Sequence, residues 1–346
     1  MISTIQENVP LAELTTFKIG GKARFFVRAK SETDIVEALE FAEQNGLDIF
    51  ILGGGSNVLI ADEGFDGLVL QIALKGISIF AEKDGTIYVT AQAGEDWDTF
   101  VKICVEKNLQ GVECLSGIPG FVGGTPVQNV GAYGQEVSET IVSVRCFDRT
   151  KKEIKELTNA ECGFAYRTSI FNTTRKNNYI VLTVTYALEL NGEPKIVYAD
   201  LKNHFSDKKP TLAETRNAVL KIRSAKSMVI DQSDINTKSA GSFFKNPLVS
   251  KEKFAEMCAR FGDTIPSYAV DGETLKIPAA WLIEKSGFQK GYIKGNVGLS
   301  TKHTLAIVNL GNSAAKDVLA LQAEIQAQVK RQFDVELKHE PIFVGF

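Results

Sequence analysis

The chain has 346 residues, enough for two domains of ordinary size and a core that needs no staples. Hydrophobic residues make up 44% and charged residues 23%, as in a globular protein, and 39 basic against 42 acidic side chains leave a formal charge of −3. This balance argues against a nucleic-acid-binding surface and leaves room for a local basic pocket that takes a phosphorylated ligand.

Residues 1–14 show no basic patch leading into an apolar run, so no signal peptide is expected. Ser31 and Asp34 form a capping box for a helix carrying Ile35, Ala38, Leu39 and Ala42, with Gly46 at its end. An apolar strand at Ile49–Leu52 runs into Gly53-Gly54-Gly55-Ser56-Asn57 and then Val58–Ile60. Further strands are expected at 68–72, 87–91, 141–147 and 180–188. Asp96 is placed to cap a helix that carries Trp97, Phe100, Ile103 and Cys104. Beyond residue 201 the spacing predicts helices over 212–223, Lys251–Phe261 and 277–286, and a polar loop over 227–239. A strand at 305–310 precedes a last helix capped by Ser313 and striped by Val318, Leu321, Ile325 and Val329, and 335–337 reads as a final strand. The class is α+β, without repeats.

No apolar stretch approaches the roughly twenty residues of a membrane span. The five cysteines are odd in number and without two-residue spacing, so neither a disulfide scaffold nor a Cys-rich zinc site is expected, and a cytoplasmic protein is. Histidines at 204, 303 and 339 give no metal-ligand spacing.

The two glycine loops carry the chemistry. Gly53 to Asn57 follows a strand and suits either a tight turn or a nest of backbone N–H groups around phosphate oxygens. It lacks the helix of a dinucleotide fingerprint and the lysine of a Walker loop. The second loop is Ser116-Gly117-Ile118-Pro119-Gly120-Phe121-Val122-Gly123-Gly124, followed by Asn129, Gly131, Ala132, Tyr133 and Gly134. Six of the nineteen residues over 116–134 are glycine, which favours close approach to a large flat ligand. Two separate nests suit a pyrophosphate held between loops.

These loops resemble the flavin-binding module of the vanillyl-alcohol-oxidase (PCMH) type. With Thr15-Thr16-Phe17-Lys18-Ile19-Gly20-Gly21, Tyr166-Arg167, Gly241 to Pro247 and Leu337 to Gly345, all in order, the chain is similar to the UDP-N-acetylenolpyruvoylglucosamine reductase family of peptidoglycan precursor synthesis. The resemblance implies a two-lobed FAD-binding module with a smaller α/β substrate-binding domain. The lobes are expected over 1–75 and 76–224, the substrate domain over 225–330, and a tail over 331–346 that returns toward the flavin.

It also implies non-covalent FAD, NADPH as hydride donor and a UDP-sugar enolpyruvyl ether as substrate, in a monomer with no nucleic-acid or membrane partner. Ser242 is the expected proton donor, Arg167 the clamp on the substrate carboxylate, and Glu340 a residue that orients the enolate or a water, or serves as the alternative acid. Gly53, Gly54, Gly55, Ser56, Asn57, Ser116, Gly117, Ile118, Gly120, Gly123, Gly124 and Asn129 fall to the cofactor, and Tyr133 and Arg223 to the flavin or substrate side. Tyr198 resembles the tyrosine that covers the bound nucleotide in the longer form of the family. Lys226, Asn246, Tyr268 and Lys290 match positions that touch the uridine diphosphate or the nicotinamide; Gln289 is the alternative to Lys290. His303 occupies a polar position that is elsewhere often glutamine or histidine. Ile342 stands where the family has arginine. Two other readings fit the loops: a flavin oxidoreductase acting on a hydroxy acid or alcohol, and a non-catalytic module that binds a nucleotide sugar.

Overall fold

Separated stretches of chain gather into two compact units. The first comprises Met1–Val9, Ala23–Gly55 and Asp66–Val229; the second comprises Pro10–Lys22, Ser56–Phe65 and Ile230–Phe346. The structure, a computed structural model, describes residues 5–81, 85–206, 208–262 and 265–346, so the first four residues of the expected leading lobe lie outside the described residues. The four-part division predicted above follows chain order, whereas packing draws 10–22 and 56–65 together with 230–346.

In the first unit the helix Glu32–Gln44 starts at the predicted box: Ser31 Oγ accepts from Asp34 N at 3.1 Å and the Asp34 carboxylate accepts from Ser31 N at 3.1 Å. It buries Ile35, Ala38 and Ala42, and Gly46 takes the left-handed φ of +61° that turns the chain out. The strand Ile49–Leu52 pairs in parallel with Phe65–Ile72 at the edge of a four-stranded sheet that also holds Lys22–Ala29 and Gln6–Pro10. A six-stranded sheet is built on Tyr179–Leu190, which is flanked antiparallel by Ile141–Asp148 and Thr86–Gln92.

The helix Trp97–Glu106, capped by the Asp96 carboxylate, anchors the second glycine loop. Trp97 N donates to Gly120 O at 3.0 Å and the Trp97 indole donates to Leu115 O at 3.0 Å. Trp97 stacks on Phe100, and Phe100 packs against Tyr186 with centroids 4.9 Å apart.

The second unit has two three-stranded sheets, one of Leu248–Ser250, Thr274–Lys276 and Tyr268–Ala269, the other of Ile293–Lys294, Val297–Leu299 and Ile307–Asn309. Helices Lys251–Phe261, Ala279–Lys285 and Ala315–Phe333 complete it, the last burying Val318, Leu321, Ile325, Val329 and Phe333. This mixture of mainly antiparallel sheets and few helices is the expected α+β class.

Two local expectations are corrected. The last helix is not capped by Ser313, whose hydroxyl donates instead to Asn296 O and Asn309 Oδ1. Its N-cap is Ala314, and the Asp62 carboxylate accepts from Ala315 N at 2.6 Å and Lys316 N at 3.2 Å, supplying the negative charge that the helix start favours. Residues 335–337 do not form a strand: Val335 and Leu337 are buried in irregular chain after the left-handed turn at Asp334. The final strand is Ile342–Val344, paired in parallel with Val58–Ile60. The predicted loop over 227–239 contains one short 3-10 turn, Ile235–Thr237. Among the described residues no helix is long and apolar enough to cross a membrane.

Candidate active site

The strand Ile49–Leu52 delivers Gly53 to Gly55, and the Trp97 anchor delivers residues 116–124; both lie in the first unit. The loops meet at Gly54 and Gly120. A Cβ on Gly54 would stand 2.7 Å from the Gly120 Cα, and Gly120 itself holds φ +123°, so neither position admits a side chain. Where Gly53 and Gly124 would carry a Cβ the space is open. Gln71 Nε2 fixes the first loop by donating to Gly53 O at 3.2 Å, and Arg28 Nε holds the Gln71 carbonyl at 2.8 Å.

The second loop is less of an open nest than its glycine content suggests. Gly117 N donates to Asp98 Oδ1 at 2.5 Å, Gly123 N to Ala93 O at 2.8 Å and Gly124 N to Phe121 O at 3.0 Å. Gly123 is glycine because a Cβ would meet Ala93 Cβ at 2.6 Å. Ser116 is fully buried and its hydroxyl donates to Glu113 O; Ile118 is half-buried. Arg216 clasps Asp98 with both terminal nitrogens, at 2.6 and 2.7 Å. Burial pushes the Asp98 carboxyl up, but Arg216 and the Gly117 N–H outweigh it and hold the group below its ordinary value.

Beside Gly117 lies the predicted Arg223. Its Nη2 donates to Met228 O at 2.7 Å, while its buried Nε has no partner among the described residues and stands 3.4 Å from where a Gly117 Cβ would be. A buried guanidinium N–H beside a glycine loop is suited to a ligand oxygen. Burial pulls the Arg223 guanidinium down, against the opposing pull of Tyr133 and Asp98.

Four predicted residues from distant parts of the chain converge here. Tyr133 and Tyr198 meet edge to face at 5.3 Å, and Lys226 Nζ pairs at 2.7 Å with Asp200 in the first turn of the helix Ala199–Phe205. Burial pulls the Lys226 ammonium down, but the bond to Asp200 prevails and leaves it above its ordinary value. Burial pushes the Tyr133 phenol up, with Arg223 and Lys226 opposing. Tyr198 is the N-cap of that helix.

Arg167 is also in the first unit, at a left-handed φ of +53°. Its Nη2 donates to Gly131 O at 2.9 Å and its Nη1 to Asn129 O at 3.5 Å. Asn129 braces this turn: its amide bonds Glu136 at 2.8 Å, Ala165 O at 3.1 Å and Ser138 N at 3.1 Å.

In the second unit, Ser242 follows Gly241 (φ +75°) and precedes two buried phenylalanines. His303 Nε2 lies 3.4 Å from Ser242 Oγ, which places the predicted substrate residue beside the proposed acid. Phe243 N donates to Leu305 O at 2.7 Å and Lys245 N to Lys338 O at 2.9 Å, so the serine segment lies between the 305 strand region and the C-terminal stretch. Asn57 joins the same neighbourhood: its amide donates to Glu340 O at 3.4 Å and its carbonyl accepts from Ile342 N at 3.0 Å. Asn246 Oδ1 accepts from Ala279 N at 2.9 Å and thereby starts the helix Ala279–Lys285. Tyr268 is 55% exposed on its short strand, and Lys290 and Gln289 are both exposed.

Sequence reasoning missed Asp98 with Arg216, and Glu113. The first pair is 118 residues apart in the chain, and no spacing signals it. Glu113 carries one signal in retrospect, a lone acid directly before a glycine-rich loop.

A family model described as "FAD binding domain" matches residues 23–157, and one described as "UDP-N-acetylenolpyruvoylglucosamine reductase, C-terminal domain" matches 232–344. The UDP-N-acetylenolpyruvoylglucosamine reductase of Thermobifida fusca (strain YX) is 43% identical over 100% of this chain and 99% of its own length. That of Streptomyces coelicolor is also 43% identical, over 99% of this chain and 92% of its own. Among solved structures, the UDP-N-acetylenolpyruvylglucosamine reductase of Thermus caldophilus superposes with a TM-score of 0.67 at 24% identity, covering 99% of this chain and 100% of that one, a likeness of fold.

Proposed function

Because the chain belongs to the UDP-N-acetylenolpyruvoylglucosamine reductase family and carries its FAD-binding domain, we propose that it reduces the enolpyruvyl ether of a UDP-sugar, with NADPH as hydride donor, to the corresponding muramate. The flavin, when bound, supplies the two-electron relay between nicotinamide and substrate. The contact of Gly54 with Gly120 and the Nε of Arg223 beside Gly117, without a partner among the described residues, support its being held by residues 53–57, 116–124 and Arg223, with residues 1–75 and 76–224 as its two lobes.

Residues 225–330 take the nucleotide part of the substrate, and the tail over 331–346 brings Glu340. The methylene carbon of the substrate receives the hydride, and the carbon next to the carboxylate receives a proton, which reduces the double bond by two electrons. Ser242 Oγ–H supplies that proton. With its hydrogen on Nε2, His303 donates to Ser242 Oγ and steadies the negative charge that builds there. Arg167 presents its fork to the substrate carboxylate as charge develops on the adjacent carbon. Glu340 orients the enolate. Tyr198 covers the nucleotide, and Lys226, Asn246, Tyr268 and Lys290 serve its phosphates or the nicotinamide.

The observation that carries this reading is the joining of Ser242, His303 and Glu340 in one unit, by the contact of Ser242 Oγ with His303 Nε2 and the bond from Glu340 N to Phe243 O. The test is the visible spectrum of the purified protein under anaerobic conditions. Flavin bands that bleach with NADPH and return on addition of the enolpyruvyl nucleotide are expected. Bands that bleach but return only with oxygen refute the substrate, and a colourless protein that FAD does not reconstitute refutes the whole reading.

A further inference from the structure

We propose that Glu113 is a positioning residue for Tyr198: a buried carboxylate that fastens the tyrosine segment to the turn of Tyr133 and to the start of the second glycine loop. The inference rests on the reading of Tyr198 as the residue that covers the nucleotide.

Glu113 is fully buried, in the 3-10 turn Glu113–Leu115 that leads into Ser116. One carboxylate oxygen accepts from Gly111 N at 2.8 Å. The other accepts from Gln135 Nε2 at 2.8 Å and from Lys195 N at 3.0 Å. Its backbone carbonyl accepts from the Ser116 hydroxyl at 2.7 Å. Gln135 comes two residues after Tyr133, Lys195 three residues before Tyr198, and Ser116 opens the glycine loop. The side chain therefore holds two pieces of chain that lead to Tyr133 and Tyr198, and the backbone of the same residue holds the start of the glycine loop.

The neighbouring contacts reinforce this tie. Gln135 Oε1 accepts from Cys114 N at 2.8 Å, and Cys114 Sγ donates to Lys195 O at 3.4 Å. Gly134 has φ +85°, and a Cβ there would stand 2.3 Å from Val197 Cγ2, so the tyrosine segment rests directly on the Tyr133 turn. The Tyr133 and Tyr198 rings meet as a result. The donors around the carboxylate are N–H groups, and an acceptor with two anionic oxygens receives them all; an amide in its place turns one NH₂ toward another donor.

The test is calorimetric titration of the enolpyruvyl nucleotide into flavin-loaded wild type, Glu113→Gln, Tyr198→Ala and the double variant, with turnover at saturating substrate measured beside it. Glu113→Gln is expected to weaken binding about tenfold, as for a buried donor left unpaired, with turnover within about threefold of wild type. In the Tyr198→Ala background the same change is expected to weaken binding by less than about twofold, because the residue it positions is gone. Equal weakening in both backgrounds, or a lowered melting temperature with unchanged affinity, overturns the inference. If Tyr198→Ala binds more weakly and Glu113→Gln does not, Glu113 alone loses its role. If Tyr198→Ala binds like wild type, the reading of Tyr198 fails first, and this inference with it. Should Glu113→Gln not fold, Gln135→Leu removes the carboxylate's side-chain donor and is judged by the same comparison.

Discussion

The backbone N–H of Glu340 donates to the carbonyl of Phe243 at 2.9 Å. Phe244 bridges to His339 beside it, and the Phe243 and Phe244 rings are buried. The segment that presents Ser242 is therefore pinned on one side by the stretch that carries Glu340 and by the core on the other. This fixes the backbone that carries the Ser242 hydroxyl, whose oxygen lies 3.4 Å from His303 Nε2.

Ser242→Ala should separate the two half-reactions. Reduction of the bound flavin by NADPH delivers no proton to a substrate carbon and is expected to stay within about threefold of wild type. Reoxidation by the enolpyruvyl nucleotide should slow by roughly 10²–10⁴-fold, the usual worth of a positioned general acid. Anaerobic stopped-flow absorbance follows both phases. Reoxidation at wild-type speed would move the proton to Glu340 or to a water it orients.

Arg167→Lys should lower turnover far more than nucleotide affinity. The lysine keeps the charge and loses the planar fork, one arm of which donates to Gly131 O. Steady-state turnover set against equilibrium binding of the nucleotide decides it; equal losses in both leave Arg167 as a binding residue only.

Gly54→Ala should yield a folded protein that has lost its flavin. The new methyl carbon falls 2.7 Å from the Gly120 Cα and forces the two loops apart. Overpacking of this kind costs about 1–3 kcal/mol. Flavin absorbance per chain, read against far-ultraviolet circular dichroism, measures it. A stoichiometric complement of FAD would show that the loop contact is dispensable.

Retention of the flavin should depend on acid through Asp98. Its carboxyl is held below the ordinary value by Arg216 and the Gly117 N–H, so its contribution is complete above the unfolded value, about pH 4, and is lost as pH falls through the lowered folded value. Flavin fluorescence released during acid titration should rise in that window in wild type. In Asp98→Asn release should begin at higher pH and lose that step. Superimposable titration curves for the two proteins would remove Asp98 from the account.

Legibility in the sequence followed the range of each interaction. The box of Ser31 and Asp34 and the stripe of the last helix were readable because both are local. The start of that helix was misread because its anionic partner, Asp62, lies 253 residues away from Ala315. The helix Ala199–Phe205 went unseen because seven residues give too little apolar period, and so the surroundings of Tyr198 were unseen as well. Glycine content located both loops, but only the fold shows that Gly54 touches Gly120 and that three glycine amides of the second loop bond within the protein. Ser242, Arg167 and Glu340 were named through family resemblance; a single serine or a glutamate near a chain end has no signature of its own.

The parallel pairing of Val58–Ile60 with Ile342–Val344 also sets a timetable for biosynthesis. The early strand leaves the ribosome without its mate, and translation must add some 280 residues before the mate appears. At about 5–20 residues per second the delay is on the order of 15–60 s. Throughout that interval a fully apolar strand edge is open in the nascent chain. The second unit therefore cannot close until Ile342–Val344 has left the ribosome, and a chaperone that shields strand edges should matter more to its yield than to that of the first unit.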